Sequence, residues 1–281
     1  MILVVGSDGL LGGALLATLR SRGLDAMGTS RRASSEKIHL NLLQPLDFVI
    51  PGNTQTAFLC AGATGVVDCH EHPTETAQAN VTGTLVLANR LEERGANIVF
   101  LSSSLVFGGD KPMAAPHWEV DPCCEYGAQK AAVERALGQK AAVIRLTKII
   151  ESLRPRFQQW ASELARSGKA SASERLRFAP LPLQAVVEKV ADFSRSFAPG
   201  IFHMSPPDDI SYVSAARVFG SLLGCGSGAV RADHGPAPGC FWRVPEHATL
   251  ACEGPSASSC WHFPPAQVTL DGFLQQLHHE R

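Results

Sequence analysis

The chain has 281 residues, 45% of them hydrophobic, and a formal net charge of −1. This length can bury one sizeable core in one or two domains, and we expect a globular protein built from helices and strands. Lysine and arginine are scattered, which excludes the basic footprint by which proteins bind nucleic acid or an anionic membrane surface. We therefore expect neither nucleic acid nor membrane as a partner.

The eight cysteines are irregularly spaced in a chain long enough to fold without covalent cross-links, which favours reduced thiols and a cytoplasmic location. They stand at positions 60, 69, 123, 124, 225, 240, 252 and 260. The apolar start of the chain lacks a positive region and is interrupted by Asp8, so we expect no signal peptide. No apolar run approaches the roughly 20 residues that span a bilayer.

Strand-like apolar runs alternate with helix-like stretches in the first half of the chain. We predict strands over residues 2–5, 25–29, 56–60, 98–102 and 141–146, and helices over residues 12–22, 74–94 and 126–137. This alternation indicates an α/β fold with a doubly wound parallel sheet of the Rossmann type. Ligands bind such sheets at the carboxyl ends of the strands.

The alternation weakens after about residue 147. Residues 151–177 are predicted to be helical, 200–224 a strand and a helix, and 225–265 irregular, because Gly, Pro, Cys and aromatic residues follow no clear period there. We predict an NADP-binding Rossmann domain at 1–150. A smaller C-terminal substrate-binding lobe is predicted at 151–281, interleaved with that domain.

Glycines follow the first predicted strand at a spacing typical of a dinucleotide site. Gly6, Gly9 and Gly12 permit a tight turn and close approach of the backbone to a pyrophosphate, and Leu10 and Leu11 begin the helix whose N-terminus faces the anion. The spacing is Gly-x-x-Gly-x-x-Gly rather than the more familiar Gly-x-Gly-x-x-Gly. A glycine-rich turn without a ligand is the alternative.

The second predicted strand ends without the acidic residue that binds the ribose hydroxyls of NAD. Ser30, Arg31 and Arg32 stand there instead. A hydroxyl and two guanidiniums suit a 2′-phosphate, so we predict NADP(H) as the cofactor. A solvated basic turn is the alternative.

Tyr126 and Lys130 are four residues apart on a predicted helix and therefore share one face. An ammonium at that distance can lower the pKa of the phenol and allow proton transfer near neutral pH. An exposed helical pair is the alternative for these two residues alone. The serines at 102–104 follow another apolar run, and with the glycine turn the set indicates hydride transfer.

In these motifs the chain resembles the extended short-chain dehydrogenase/reductase family, and within it the dTDP-4-dehydrorhamnose reductases and related nucleotide-sugar-binding proteins. The resemblance covers at least residues 1–150. It rests on Gly6-x-x-Gly9-x-x-Gly12, Cys60-Ala61-Gly62-Ala63-Thr64, Asn80-Val81-Thr82-Gly83-Thr84, Ser102-Ser103-Ser104-Leu105-Val106-Phe107-Gly108 and Tyr126-Gly127-x-x-Lys130.

The resemblance implies a role for each matching residue. It selects Ser103 as the active hydroxyl, three positions before Val106. It places Asn41 and Leu42 beside the adenine, and Ala61, Gly62 and Thr64 along the pyrophosphate and nicotinamide ribose. Asn80 would support the active-site helix, with a satisfied buried asparagine as the alternative. The chain departs from the reductases at Ser104, where they carry an Asp, and at Lys148, where they carry an aromatic residue.

We therefore expect an NADPH-dependent reductase of a keto group on a nucleotide-sugar, acting in polysaccharide biosynthesis. Tyr126 would donate the proton, Ser103 would bind the carbonyl oxygen, and Lys130 would bind the nicotinamide ribose. The alternatives are an epimerase or dehydratase of the same fold and a regulatory subunit that binds nucleotide without turnover. A homodimer is left open.

Three other groups of residues were considered for a role in binding. The acids, histidines and thiol at 68–72 are adjacent on a predicted helix and point in different directions, so we expect no metal site. Phe157, Trp160 and Leu164 have the spacing of a core face. Arginines in the second lobe are candidates for a diphosphate, with a solvated helix face as the alternative; they are Arg154, Arg156, Arg175 and Arg177.

Overall fold

The computed structural model describes residues 1–32, 36–226, 228–235, 243–252 and 261–279. The strands are β1 Ile2–Val5, β2 Ala26–Ser30, β3 Ile38–His39, β4 Thr56–Leu59, β5 Asn97–Ser103, β6 Ala142–Leu146, β7 Lys148–Ile149, β8 Ala170–Ser173, β9 Arg177–Phe178, β10 Pro180–Leu181, β11 Gly200–Met204, β12 Ile210–Ser211 and β13 Val230–Asp233. The helices are α1 Leu10–Ser21, α2 Val66–Glu71, α3 Pro73–Ala77, α4 Thr84–Glu92, α5 Glu125–Leu137, α6 Arg154–Ser167, α7 Leu183–Asp192, α8 Tyr212–Leu222 and α9 Ala266–His279.

The central sheet has seven parallel strands in the order β11-β6-β5-β4-β1-β2-β3. Its order reverses beside β1, the arrangement of a doubly wound sheet. The predicted fold class is therefore confirmed. Three short two-stranded sheets formed by the remaining strands lie outside it.

Both faces of the central sheet are covered by apolar helix faces. On one face, Leu15 and Leu19 of α1 pack with Val190 of α7 against the strands. On the other, Leu87 and Leu91 of α4 are fully buried. Each such side chain contributes about 1.5–3 kcal/mol to folding when it is removed from water.

A third core lies beyond the sheet, in the part of the chain after residue 149. Phe157, Trp160 and Leu164 of α6 are buried in it, with Phe219 of α8 and Phe273 of α9. Edge-to-face ring contacts join Phe157 to Trp160, Phe219 and Phe273 at centroid distances of 5.1, 5.2 and 5.5 Å. The prediction that these α6 residues form a core face is confirmed.

Three predicted segments differ from the observed elements. The helix expected over residues 74–94 is divided by a π-helical turn at Gln78–Gly83. The helix expected over residues 151–177 ends at Ser167, because Gly168 adopts a left-handed conformation (φ 68°) and the chain then enters β8. Residues 225–265 contain β13, which pairs with β8.

In the described part of the chain, no helix is both long and apolar enough to cross a lipid bilayer.

Candidate active site

One large cleft opens along the carboxyl ends of the sheet strands and extends toward β9 and α8. Its volume is about 1330 Å³. All but one of the residues predicted to bind cofactor or act on substrate line it: Gly6, Gly9, Leu10, Leu11, Gly12, Ser30, Arg31, Arg32, Asn41, Leu42, Ala61, Gly62, Thr64, Ser103, Tyr126 and Lys130. Asn80 does not.

The turn after β1 is tight enough to require glycine. Gly6 has φ 85°, and a Cβ there would lie 2.6 Å from the Cα of Ala61. A Cβ on Gly12 would lie 2.4 Å from the Gly6 carbonyl oxygen. The N-terminal turn of α1 therefore lines the cleft beside the β1 and β4 ends, with its first backbone N–H groups free of helical partners.

The end of β2 presents two guanidiniums to the cleft. Arg31 and Arg32 are exposed, whereas the Ser30 hydroxyl is buried, donates to Asp8 at 2.5 Å and accepts from the Arg32 amide at 2.9 Å. Lys37 also pairs with Asp8, at 2.7 Å. Hydrogen bonds from Lys37 and Ser30 lower the pKa of Asp8. Ser30 therefore orders this turn through Asp8, a contact that sequence reasoning missed.

Ser103 is the last residue of β5 and caps a short 3₁₀ turn at Ser104–Val106. Its Oγ accepts a hydrogen bond from the Leu105 amide at 3.2 Å. Helix α5 approaches this turn closely, because a Cβ on Gly127 would lie 2.0 Å from the Leu105 carbonyl oxygen. Glycine after Tyr126 thus allows the tyrosine to stand beside the end of β5.

Lys130 is buried one turn after Tyr126. Its Nζ donates to the Leu101 carbonyl at 2.8 Å and lies 4.5 Å from the centroid of Phe100 and 5.8 Å from that of Tyr126. Removal from water disfavours the ammonium and lowers the pKa of Lys130 to about 8.

Desolvation likewise raises the pKa of Tyr126, and the neighbouring thiols of Cys69 and Cys124 raise it further. The expected net lowering of the phenol pKa is therefore not found, because burial outweighs the effect of the Lys130 ammonium. At neutral pH the phenol keeps its proton, which suits a proton donor.

Asn80 lies behind the cleft and joins two of its walls. Its amide accepts from the Ala63 N–H at 2.7 Å and donates to the Ala63 carbonyl at 2.9 Å. It also donates to Gln129 of α5 at 2.7 Å. Asn80 therefore ties the loop after β4 to the helix that carries Tyr126, and its contribution to the site is indirect.

A buried ion pair that sequence reasoning missed fixes α5 to β6. Arg145 contacts Glu134 through Nη2 at 2.7 Å and Nε at 3.1 Å, and the two side chains are 3% and 7% exposed. Glu134 also accepts from Ser102. The only signal in the sequence was the position of Glu134, one helical turn beyond Lys130 on the same face.

His203 extends this ion pair to β11. Its Nε2 accepts from Arg145 at 3.3 Å and its Nδ1 lies 3.1 Å from the Ala251 carbonyl oxygen. Burial and the Arg145 charge lower the pKa of His203 to about 3, so the ring is neutral. The carbonyl bond places the ring proton on Nδ1.

The far end of the cleft is built from separate segments. Thr147, Lys148 and Ser152 follow β6, and Arg177 and Tyr212 come from later elements. Arg177 forms an ion pair with Asp209 at 2.7 Å. Of the four arginines predicted to meet a diphosphate, this is the one that lines the cleft.

The described cysteines are free thiols, whereas Cys240 and Cys260 lie outside the described residues. Cys123 and Cys124 are buried just before Tyr126, and the Cys124 Sγ accepts from the Gly127 amide at the start of α5 at 3.4 Å. A hydrogen bond from Cys123, with backbone N–H groups of α5, lowers the pKa of Cys124. Among the described residues, no three His, Cys, Asp or Glu side chains are grouped to hold a metal ion.

Comparison with known proteins gives one match to a family model, described as the RmlD substrate binding domain, over residues 1–278. A dTDP-4-dehydrorhamnose reductase from Clostridium acetobutylicum superposes with a TM-score of 0.80 at 19% identity, covering 99% of both chains. Another from Bacillus anthracis, in complex with NADP, gives 0.77 at 17% identity over 98% of this chain and 97% of that one. MoeE5, in complex with UDP-glucose and NAD, gives 0.75 at 19% identity over 99% of both chains. At these identities the likeness shows the fold alone.

Two curated proteins share more sequence over shorter stretches. A UDP-glucose 4-epimerase from Erwinia amylovora is 30% identical in an alignment 164 positions long that covers 48% of this chain and 47% of the relative. Methionine adenosyltransferase 2 subunit beta from Bos taurus is 30% identical in an alignment 157 positions long that covers 52% of this chain and 46% of the relative. The chain spans about half the length of the curated relatives it matches.

Proposed function

Because the chain belongs to the RmlD substrate binding domain family, we propose that it uses NADPH to reduce a keto group on a nucleotide-activated sugar. The observation that carries the proposal is the convergence of Ser103, Tyr126 and Lys130 on the cleft that the glycine turn also lines. This arrangement combines a protonated phenol, a hydroxyl and an ammonium with a backbone turn suited to a pyrophosphate.

The residues around the turn fit a nicotinamide dinucleotide. The close approach of Gly6 to Ala61 brings the start of α1 to the cleft, where a pyrophosphate would accept hydrogen bonds from the first N–H groups of that helix. Arg31 and Arg32 would bind the 2′-phosphate of NADPH, since Lys37 already pairs with Asp8, the nearby acid. Asn41 and Leu42 would lie beside the adenine.

Bound NADPH would supply the hydride that adds to the carbonyl carbon. Tyr126 would transfer its phenolic proton to the carbonyl oxygen as negative charge develops there, and its raised pKa keeps that proton available at neutral pH. Ser103 would donate a hydrogen bond to the same oxygen. Lys130 would contact the nicotinamide ribose and favour the transient phenolate. The products are a hydroxyl group on the sugar and NADP⁺.

Two other functions are favoured by particular relatives. The epimerase relative supports an enzyme that oxidises its substrate transiently and returns the hydride. The relative named as a subunit of methionine adenosyltransferase supports a regulatory protein that binds nucleotide without turnover. The polar residues of the cleft argue against the second, because a protein that only binds needs no hydroxyl and phenol beside a buried ammonium.

The test combines a 4-keto nucleotide-sugar with NADPH deuterated at the transferred position. We expect NADPH consumption in proportion to product and deuterium on the former carbonyl carbon, detected by mass spectrometry and NMR. Product without loss of NADPH, or protein that purifies with a full complement of NAD, would support the epimerase or dehydratase. Absence of turnover with a panel of keto-sugars would support the regulatory protein.

We further propose that residues 1–150 serve mainly the cofactor and residues 151–281 mainly the substrate. The described free thiols support a reducing, cytoplasmic location. A role in polysaccharide biosynthesis and assembly as a homodimer stay predictions from the resemblance, to be checked by genetic deletion and by sedimentation.

A further inference from the structure

Lys148 stands beside the position where reduction would occur. In the parallel pairing of β5 with β6, Ser103 lies opposite Leu146. Lys148 follows Leu146 by two residues, which is no more than about 7 Å along an extended chain. Its backbone is held by a hydrogen bond from its N–H to the Ala179 carbonyl at 3.1 Å, and the residue lines the cleft.

The Lys148 ammonium makes no hydrogen bond or ion pair with any residue that the structure describes. Arg177, on the same part of the cleft wall, is by contrast paired with Asp209. The Lys148 side chain is exposed in the open cleft, where the surrounding protein lowers its pKa by partial desolvation. A substrate that fills the cleft would remove water from this ammonium, which would then need a counter-charge.

Thr147 is a second polar group without a partner at this point. The residue is 7% exposed and lines the cleft, and its Oγ1 makes no hydrogen bond with the described part of the chain. Adjacent ammonium and hydroxyl donors fit a ligand group with several acceptor oxygens and a negative charge.

We infer that Lys148 binds an ionised carboxylate on the sugar ring of the substrate, so that the substrate is a nucleotide-activated uronic acid or a keto derivative of one. The inference rests on the proposed function for the nucleotide-sugar class and adds the charge of the sugar. A neutral hexose would leave the ammonium unpaired. The diphosphate is the other anionic part of such a substrate, but the register with Ser103 places Lys148 at the reacting ring.

The experiment measures binding in the presence of NADP⁺ by titration calorimetry, with two probes that differ only in this group. UDP-glucuronate and UDP-glucose share nucleotide, diphosphate and ring, and the corresponding dTDP pair covers the other common nucleotide. We expect the wild-type protein to bind the uronate at least tenfold more tightly than the hexose, which corresponds to about 1.4 kcal/mol. Lys148→Met should remove that preference and leave the affinity for the hexose within about twofold.

Lys148→Arg should retain the preference, because it restores the charge. Lys169→Met, the same substitution at an exposed lysine that does not line the cleft, is the matched control and should change neither affinity. An unchanged NADPH affinity would show that the Lys148→Met protein is folded.

Three results would overturn the inference. Equal losses for the uronate and the hexose would assign Lys148 to the diphosphate. An unchanged affinity of the Lys148→Met protein for both probes would show that Lys148 does not contact the substrate. Failure of the wild-type protein to bind any of the four probes would remove both the inference and the nucleotide-sugar class. A uronate preference that depends on Lys148 without NADPH-dependent turnover would leave the inference in place and remove the reductase.

Discussion

The two halves of the cleft are built in different ways. In the half that we propose for the cofactor, three short segments at 6–12, 29–32 and 61–64 supply most of the lining, each at the end of a strand of the central sheet or directly after one. In the substrate half, Lys148, Arg177 and Tyr212 come from elements that are distant in sequence. The cofactor half is therefore defined by backbone geometry, and the substrate half by individual side chains.

This difference has a functional meaning. A turn that presents backbone N–H groups to a pyrophosphate constrains few side chains, so one fold can retain its cofactor while its substrate changes. Side chains such as Lys148 can be exchanged without disturbing the sheet, and under the proposed function they would decide which sugar fits. Ser103 and Tyr126, which we propose as the reacting residues, stand at the border between the halves.

The substitution Tyr126→Phe tests most directly whether the residue at this border is the proton donor. The variant loses the transferable proton and keeps the ring, so turnover should fall by a factor on the order of 10² to 10⁴ while NADPH binding persists. Stopped-flow kinetics and NADPH titration measure the two quantities. Tyr212→Phe, at the other tyrosine of the chain, removes a phenol from the substrate half and should keep most of the turnover. Equal effects of both substitutions would remove Tyr126 from the acid role.

Breaking the Glu134–Arg145 pair should loosen the connection between α5 and β6. Glu134→Gln leaves the buried Arg145 charge without its carboxylate, and we expect the free energy of unfolding to fall by about 3–5 kcal/mol in urea titrations. Glu92→Gln is the matched control, because Glu92 pairs with Lys140 at 2.7 Å on the surface. That substitution should cost less than about 1 kcal/mol. Similar losses of unfolding free energy in both variants would show that the buried pair stabilises the fold no more than the surface pair does.

Some features of the fold could be predicted from the sequence, and others could not. The strands around the site and the glycine turn could be inferred because apolar runs and glycine spacing are local signals. The π-helical turn at Gln78–Gly83 could not, because Gly83 lies against Leu42: a Cβ on Gly83 would be 1.8 Å from the Leu42 carbonyl oxygen. Such a contact depends on tertiary packing.

The same reason applies to the site. The placement of Ser103, Tyr126 and Lys130 in one cleft follows from where strand and helix end, which the sequence indicated. The Glu134–Arg145–His203 network joins a helix and two strands that are distant in sequence, so no local sequence pattern predicts it. The raised pKa of Tyr126 depends on how completely the surrounding protein excludes water, which residue spacing does not contain.

Within the cofactor half, Arg31→Ala combined with Arg32→Ala should abolish the preference for NADPH. We expect the wild-type protein to bind NADPH at least tenfold more tightly than NADH, or about 1.4 kcal/mol, the scale of one charge-assisted contact. Calorimetric titration with both cofactors gives the ratio. The affinity for NADH serves as the internal control and should not change. Equal affinities in the wild-type protein would contradict the assignment of NADPH.

The smallest expected effect separates the roles of Lys130 and Lys148. The Lys130 ammonium is half lost near pH 8, so NADPH-dependent turnover should halve as the pH rises through about 8. The sign follows from the lowered pKa: the charged form, which the ribose contact needs, is complete only at lower pH. Lys148→Met should leave this alkaline decline in place. A decline that disappears with Lys148→Met would assign it to the substrate half instead.

Strand β11 has a consequence for synthesis of the chain. It pairs with β6 and covers the edge of the central sheet, yet it begins at Gly200, long after β6 ends at Leu146. At roughly 5–20 residues per second, a ribosome needs about 3–10 s to make the intervening segment. During that interval β6 is an unpaired apolar edge, the kind of surface that pairs with other chains. Chains truncated between residues 150 and 200 should therefore aggregate more than chains truncated after β11. Sedimentation of the two sets after release from the ribosome would measure the difference.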